Sequence, residues 1–144
     1  MPHVFQHPIE VRFRDCDPLG HVNNAAYLTY LEQARLFYWR SLWGFGLDAG
    51  RATPGGIMAS PAQPGVIMAR AEIDYRLPAH YGQTLMVRID LAAIGKTSFT
   101  YDYEILDEQE RVVVSARTVQ VMYDYEAARP VPIPDEIRQK MQNT

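Results

Sequence analysis

The chain has 144 residues, a formal net charge of -3 and 47% hydrophobic residues, which suits one domain with its own core. The mild acidity argues against nucleic acid as a partner, because a phosphate backbone attracts a basic protein face. The one cysteine, Cys16, excludes an internal disulfide and a cysteine-rich zinc site. No secretory signal and no apolar run of membrane-spanning length is present, so we expect a cytoplasmic protein with a single domain over residues 1–144.

The N-terminal segment alternates apolar and charged residues as far as Arg14. Ile9, Val11 and Phe13 fall on one side, which predicts a strand with one buried face. Asp-Pro and a nearby glycine then predict a turn over residues 15–20.

A helix is predicted from Asn23 to Leu42, a stretch without Gly or Pro. Its apolar residues recur at three- and four-residue steps and form one face: Tyr27, Leu28, Leu31, Ala34, Tyr38 and Leu42. Asn23 can cap this helix, because its side-chain oxygen can accept a hydrogen bond from a free N–H of the first turn. The Gly- and Pro-rich segment from Gly44 to Gly65 is interpreted as a long loop.

Four segments of period-two alternation follow and predict an antiparallel meander: residues 69–76, 85–93, 99–105 and 111–123. Pro134 can begin a short C-terminal helix. One long helix is available to cover the apolar face of one sheet, so we expect the sheet to curl around that helix. Pairing of a free sheet edge with a second copy would give a homo-oligomer.

The chemically informative segment connects the first strand to the helix and has the sequence Asp15-Cys16-Asp17-Pro18-Leu19-Gly20-His21-Val22-Asn23-Asn24. It places carboxylates and an imidazole beside the positive end of a helix. Free backbone N–H groups at such a helix start can stabilise an oxyanion.

Extended back to Val11, this segment resembles the hotdog-fold acyl-CoA thioesterases, in particular the 4-hydroxybenzoyl-CoA thioesterase type and its long-chain acyl-CoA relatives. The later residues that share the resemblance are Tyr27, Tyr30, Glu32, Ala34-Arg35, Tyr75-Arg76-Leu77-Pro78, Gly82 and Gly95. The resemblance implies an α+β fold in which a five-stranded antiparallel sheet wraps around one long helix. It also implies homodimers or homotetramers with active sites at the dimer interface.

The resemblance also implies catalytic roles. Asp17 matches the catalytic aspartate, which attacks the thioester carbonyl or activates the attacking water. The backbone N–H of Asn24 matches the donor that polarises this carbonyl. From the residues themselves, His21 could orient Asp17 or the substrate, or it could only cap or pack against the helix start; with Asn23 it would shape the loop.

Substrate contacts follow from the same resemblance. Coenzyme A would arrive as part of the substrate, and no metal or other cofactor is expected. The coenzyme A part of the substrate would lie near the turn at Gly95-Lys96-Thr97-Ser98 and near exposed basic side chains such as Arg88. Tyr27 would contribute to the substrate pocket, whereas the nature of the acyl group stays open.

The chemistry is coherent without the resemblance. A thioester releases a thiolate whose conjugate acid has a pKa of about 8.5 by analogy with cysteine, so the leaving group needs little help from an acid. One carboxylate and an oxyanion donor are therefore sufficient, and the sequence contains no G-x-S-x-G motif of a serine hydrolase.

Several other interpretations of the same residues stay open. Asp17 could merely shape a turn before Pro18, and Asp15 could bond loop backbone or pair with Arg12 or Arg14. The Asp15-x-Asp17 pair could hold magnesium in a phosphotransferase, but the single long helix disfavours the parallel sheet of such enzymes.

Glu32 is a reserve catalytic carboxylate because a related hotdog branch carries its catalytic glutamate on the helix. Its more ordinary role is an ion pair with Arg35. Cys16 lies between two acids, which disfavour a thiolate, so we do not expect a nucleophile there. A hydratase or dehydratase using His21 with Asp17, and a non-catalytic acyl-thioester binder, are the competing functions.

Overall fold

The computed structural model describes residues 5–43 and 65–143. Its elements are β1 (Phe5–Glu10), a 3-10 turn (Phe13–Asp15), α1 (Ala26–Trp43), β2 (Gly65–Tyr75), β3 (Thr84–Ile94), β4 (Ser98–Leu106), β5 (Val112–Asp124), β6 (Arg129–Pro130) and α2 (Asp135–Gln142). The α+β class and the C-terminal helix are confirmed. The loop predicted between Gly44 and Gly65 lies outside the described residues except at its last residue, which begins β2.

The described strands form one antiparallel sheet in the order β1-β3-β4-β5-β2, and the two-residue β6 adds to β5. The predicted meander is correct for β3, β4 and β5. It is wrong for β2, which pairs with β5 because β1 occupies the free edge of β3, with Phe5 opposite Ile89 and Glu10 opposite Thr84.

Strand β2 is consequently an edge among the described strands. Its alternating sequence predicted one buried face, but most of its residues are exposed, including Met68 at 46% and Tyr75 at 48%. An edge strand of this length offers unpaired backbone groups to another chain.

The first strand is shorter than predicted. It ends at Glu10, and Phe13 is 79% exposed instead of sharing the buried face of Ile9 and Val11. The backbone N–H of Arg12 donates to the Asp15 carboxylate, and the N–H of Asp15 donates to the Arg12 carbonyl. These local hydrogen bonds favour a 3-10 turn over continued strand.

Helix α1 begins three residues later than predicted. The Asn23 side chain does accept a backbone hydrogen bond, but from Ala25 N at 2.9 Å, just before the helix. The predicted apolar face is largely buried, although Leu28 is 38% exposed and Leu42 is half-buried.

Contacts within the chain define two compact units. The first comprises Met1–Tyr38, Glu72–Asp90 and Asp102–Arg117, and the second comprises Trp39–Ala71, Leu91–Tyr101 and Thr118–Thr144. In the first unit the buried side chains include Ile9, Leu31, Val87 and Ile105; in the second they include Trp39, Phe99, Tyr101, Met122 and Met141.

Candidate active site

The segment that carries Asp17 folds into a tight five-residue turn in the first unit. Cys16 and Val22 form an isolated antiparallel bridge. Between them, Asp17 N donates to His21 O at 3.1 Å, and Gly20 N donates to Asp17 O at 3.0 Å. Gly20 has a φ of 89°, a conformation that side chains disfavour, so the turn depends on glycine there.

The Asp17 carboxylate serves this turn with one oxygen only. Its Oδ1 accepts a hydrogen bond from Leu19 N at 2.9 Å. Within the described part of the chain, Oδ2 has no hydrogen-bond or ion-pair partner, and the residue is half-buried. Asp17 therefore shapes its turn, as the simpler interpretation held, and still keeps one oxygen available for chemistry.

The start of α1 supplies a free backbone donor. Asn23 O accepts from Ala26 N at 2.9 Å, whereas no acceptor for Asn24 N is found among residues 5–43 and 65–143. The carbonyl of Asn24 accepts a hydrogen bond from the hydroxyl of Tyr75 at 3.1 Å. The N–H of Asn24 is thus one of the unsatisfied groups that a helix start presents to a ligand.

A cavity of about 190 Å³ opens beside this donor. Its walls are formed by the turn, the start of α1 and the segment that follows β2, and they include His21, Asn24, Tyr27, Tyr75, Arg76 and Leu77. Asp17 itself is not among the lining residues. The structure thus brings three predicted site residues to one cavity, namely His21, Asn24 and Tyr27.

His21 has a defined hydrogen-bonding role in this wall. Its Nδ1 lies 3.1 Å from the carbonyl oxygen of Val22. A carbonyl oxygen can only accept a hydrogen bond, so Nδ1 carries a proton in this contact.

Tyr27 is buried and contributes its ring to the cavity. Its hydroxyl accepts a hydrogen bond from Ala79 N at 3.3 Å. Burial raises the pKa of Tyr27, so the side chain is a neutral wall and not a base.

Asp15 lies two residues before Asp17 and is 9% exposed. Its Oδ2 accepts hydrogen bonds from Arg12 N at 3.0 Å and from the Tyr30 hydroxyl at 2.8 Å, and its Oδ1 lies 3.5 Å from the Arg12 guanidinium. The predicted pairing is therefore confirmed with Arg12.

The same contacts shift the pKa values of Asp15 and Tyr30. Burial alone would raise the pKa of Asp15, but the Arg12 N–H, the Tyr30 hydroxyl and the guanidinium together lower it. The pKa of Tyr30 is raised by burial and by the hydrogen bond to the Asp15 anion. Sequence reasoning missed this contact, because no local pattern links residues fifteen positions apart.

The predicted coenzyme A contacts are only partly exposed. Arg88 lies 4.0 Å from Glu104 in the first unit. In the second unit, the turn of Lys96, Thr97 and Ser98 is held by backbone hydrogen bonds, and Arg138 donates to Gly95 O at 2.7 Å. The side chain of Lys96 is exposed.

Glu32 is exposed. The ion pair that we expected between Glu32 and Arg35 does not form. Arg35 is instead buried, and its guanidinium donates to the hydroxyl of Tyr103 at 3.2 Å. The pair does not form because residue 35 lies on the buried face of α1, whereas residue 32 points outward.

Two properties of the described residues bear on the kind of site. Among residues 5–43 and 65–143, no group of three His, Cys, Asp or Glu side chains is arranged to hold a metal ion. None of the helices that the structure describes is both long enough and apolar enough to span a membrane.

Comparison with known proteins gives the site a context. A 1,4-dihydroxy-2-naphthoyl-CoA hydrolase of Synechococcus sp. (strain CC9605) is 29% identical over 127 residues, covering 88% of this chain and 82% of that protein. The long-chain acyl-CoA thioesterase FadM of Escherichia coli (strain K12) is 28% identical over 138 residues, covering 95% and 96%.

A solved structure of a predicted thioesterase from Bacillus stearothermophilus superimposes with a TM-score of 0.80 at 29% identity, covering 98% of this chain and 96% of that one. The expected hotdog fold is thereby confirmed. The profile of the Thioesterase-like superfamily matches residues 11–141. The chain belongs to the Thioesterase-like superfamily, and its expected enzyme class, a thioester hydrolase, is confirmed.

Proposed function

We propose that this protein hydrolyses an acyl-CoA thioester to the free acid and coenzyme A. The observation that carries the proposal is the backbone N–H of Asn24, which has no acceptor among the described residues and lies in the wall of a cavity beside the start of α1. Asp17, seven residues earlier in the chain, keeps one carboxylate oxygen free. The relatives named as acyl-CoA and naphthoyl-CoA thioester hydrolases support coenzyme A as the leaving group.

The thioester carbonyl oxygen would accept a hydrogen bond from Asn24 N, which stabilises the negative charge that develops on this oxygen. In one route, Asp17 Oδ2 attacks the carbonyl carbon, the C–S bond breaks, and water hydrolyses the resulting anhydride. In the other route, Asp17 takes a proton from the attacking water. Both routes release a thiolate and regenerate the carboxylate, and neither needs a metal or a redox cofactor.

The decisive experiment measures free thiol released from a panel of short, long and aryl acyl-CoA substrates. Asp17→Asn should lower kcat by about 10³-fold, with an unchanged circular dichroism spectrum and melting temperature. Glu32→Gln is the matched control, because it neutralises the exposed reserve carboxylate, and it should retain wild-type turnover. Near-normal turnover by Asp17→Asn would overturn the assignment, and inactivity of Glu32→Gln alone would move the role to the helix.

A hydratase or dehydratase is a second candidate, because His21 lies in the wall of the same cavity. Such an enzyme would change the absorbance of an enoyl-CoA without releasing thiol. A non-catalytic binder would retain the acyl-CoA intact, and Asp17→Asn would leave its affinity unchanged.

We further propose that the protein acts as a homodimer or homotetramer through β2. The support is the exposure of this eleven-residue edge strand, with Met68 and Tyr75 half in solvent. Sedimentation at catalytic concentration should give twice or four times the mass of one chain, and full activity in a monomer would contradict the proposal.

A further inference from the structure

Asp15 is bonded to both arms of the loop that carries the proposed catalytic groups. Its main-chain carbonyl accepts a hydrogen bond from Asn23 N at 2.9 Å, directly before the proposed oxyanion donor Asn24. Along the main chain, Asp15 is connected through Cys16 to Asp17. The residue therefore links the arm that carries the carboxylate to the arm that carries the N–H donor.

The Asp15 side chain fixes this link to the helix. Its Oδ2 accepts from the hydroxyl of Tyr30, which lies in the second turn of α1 and is 3% exposed. The same oxygen accepts from Arg12 N at the end of the first strand region. A buried carboxylate with these donors is costly to displace, because each donor would lose its partner away from water.

We propose that Asp15 and Tyr30 form a positioning pair for catalysis, which sets the distance between the Asp17 carboxylate and the Asn24 N–H. The inference rests on the proposed function. Neither residue touches the reacting atoms. Their shared hydrogen bond holds the loop against the helix, so that attacking group and oxyanion donor meet one carbonyl. Small displacements of such groups cost large factors in rate.

The test is the kinetics of thiol release by Tyr30→Phe, which removes one hydroxyl and keeps the ring. We expect kcat to fall about tenfold with KM within about twofold, since substrate binding persists while alignment is lost. Asp15→Ala should lower kcat about 100-fold. Asp15→Asn should recover most of that loss, because its single side-chain oxygen can accept from both Arg12 N and Tyr30.

Tyr101→Phe is the matched control. This tyrosine is fully buried and its hydroxyl accepts from Trp39 Nε1 at 2.9 Å and contacts Met141 Sδ at 3.5 Å, without a bond to Asp15. It should lose stability and keep kcat when both enzymes are assayed well below their melting temperatures. An equal fall of kcat in Tyr30→Phe and Tyr101→Phe would reduce Asp15 and Tyr30 to structural residues.

A double variant separates this inference from the proposed function. In an Asp17→Asn background, Tyr30→Phe should cause no further loss of kcat, because the group to be aligned is already absent. Full additivity of the two losses would overturn the positioning role. If Asp17→Asn alone stays active, the catalytic role proposed for Asp17 fails. If the wild-type protein releases no thiol from any acyl-CoA, the proposed function fails, whatever Tyr30→Phe does.

Discussion

Two turns of this protein share one pattern of backbone hydrogen bonds, and the side chain at the fifth position decides how each uses its aspartate. In the turn from Asp17 to His21 and in the turn from Asp107 to Arg111, the first residue donates its N–H to the carbonyl of the fifth at 3.1 and 3.0 Å. In both turns the fourth N–H donates to the first carbonyl at 3.0 Å. The aspartate Oδ1 accepts from the third N–H at 2.9 Å in each.

The difference lies at the fifth position. Arg111 donates its Nε to Asp107 Oδ2 at 2.8 Å and its backbone N–H to Oδ1 at 2.9 Å, so that both oxygens are engaged. His21 turns its Nδ1 to the Val22 carbonyl instead, and Asp17 Oδ2 keeps no partner among the described residues. The comparison teaches that a turn aspartate keeps an oxygen available for chemistry when the side chain at the fifth position of the turn bonds to another group.

The largest expected effect comes from making the first turn resemble the second. His21→Arg would place a guanidinium where it can bond Asp17 Oδ2, and thiol release should fall by about 100-fold or more, with the melting temperature unchanged or raised. His21→Ala is the control, which removes the imidazole without adding a cation. A fully active His21→Arg enzyme would refute the importance of the free oxygen.

The reciprocal change should leave catalysis untouched. Arg111→His frees Asp107 Oδ2 in a hairpin turn that contributes nothing to the cavity, so kcat should stay within about twofold of wild type. Denaturant unfolding should show a loss of stability, because a buried carboxylate oxygen loses its donor. Impaired thiol release at a temperature where this variant is folded would contradict the separation of the two turns.

The fourth position of each turn offers a smaller effect of opposite sign. Gly20 has a φ of 89° and Glu110 has a φ of 61°. Gly20→Ala should lower the free energy of unfolding by about 1 kcal/mol, and Glu110→Gly should raise it by up to about 1 kcal/mol. Urea unfolding of both variants measures these two changes in the free energy of unfolding. A Gly20→Ala protein as stable as wild type would show that the backbone conformation is not strained.

The smallest expected effect is on acid stability. The pKa of Asp107 would be raised by burial, but hydrogen bonds from Arg111 and Gln109 and the guanidinium charge lower it, and the pKa of Asp15 is lowered as well. A carboxyl with a lowered folded pKa contributes stability above its unfolded pKa of about 3.9, which is lost as pH falls through the folded value. Asp107→Asn and Asp15→Asn should each flatten the decline of unfolding free energy below about pH 4, and an unchanged slope in both variants would show that other groups dominate.

The element types and the position of the site loop follow from the sequence. Period-two alternation identified β3, β4 and β5, because each buries one face against the core. Helical periodicity identified α1 for the same reason. The site loop could be located because turn chemistry and a helix start are local properties of adjacent residues. The resemblance to the hotdog-fold thioesterases, and not local chemistry alone, then singled out Asp17 and Asn24.

The remaining features depend on contacts between distant residues, which no local pattern contains. The pairing of β2 with β5 was decided by which strand edges were already occupied. The hydrogen bond from Tyr30 to Asp15 joins residues fifteen positions apart. The sequence by itself placed two carboxylates and an imidazole next to a helix start. Only the tertiary structure decided which carboxylate is held by donors and which keeps a free oxygen, because hydrogen bonding depends on distances that folding alone sets.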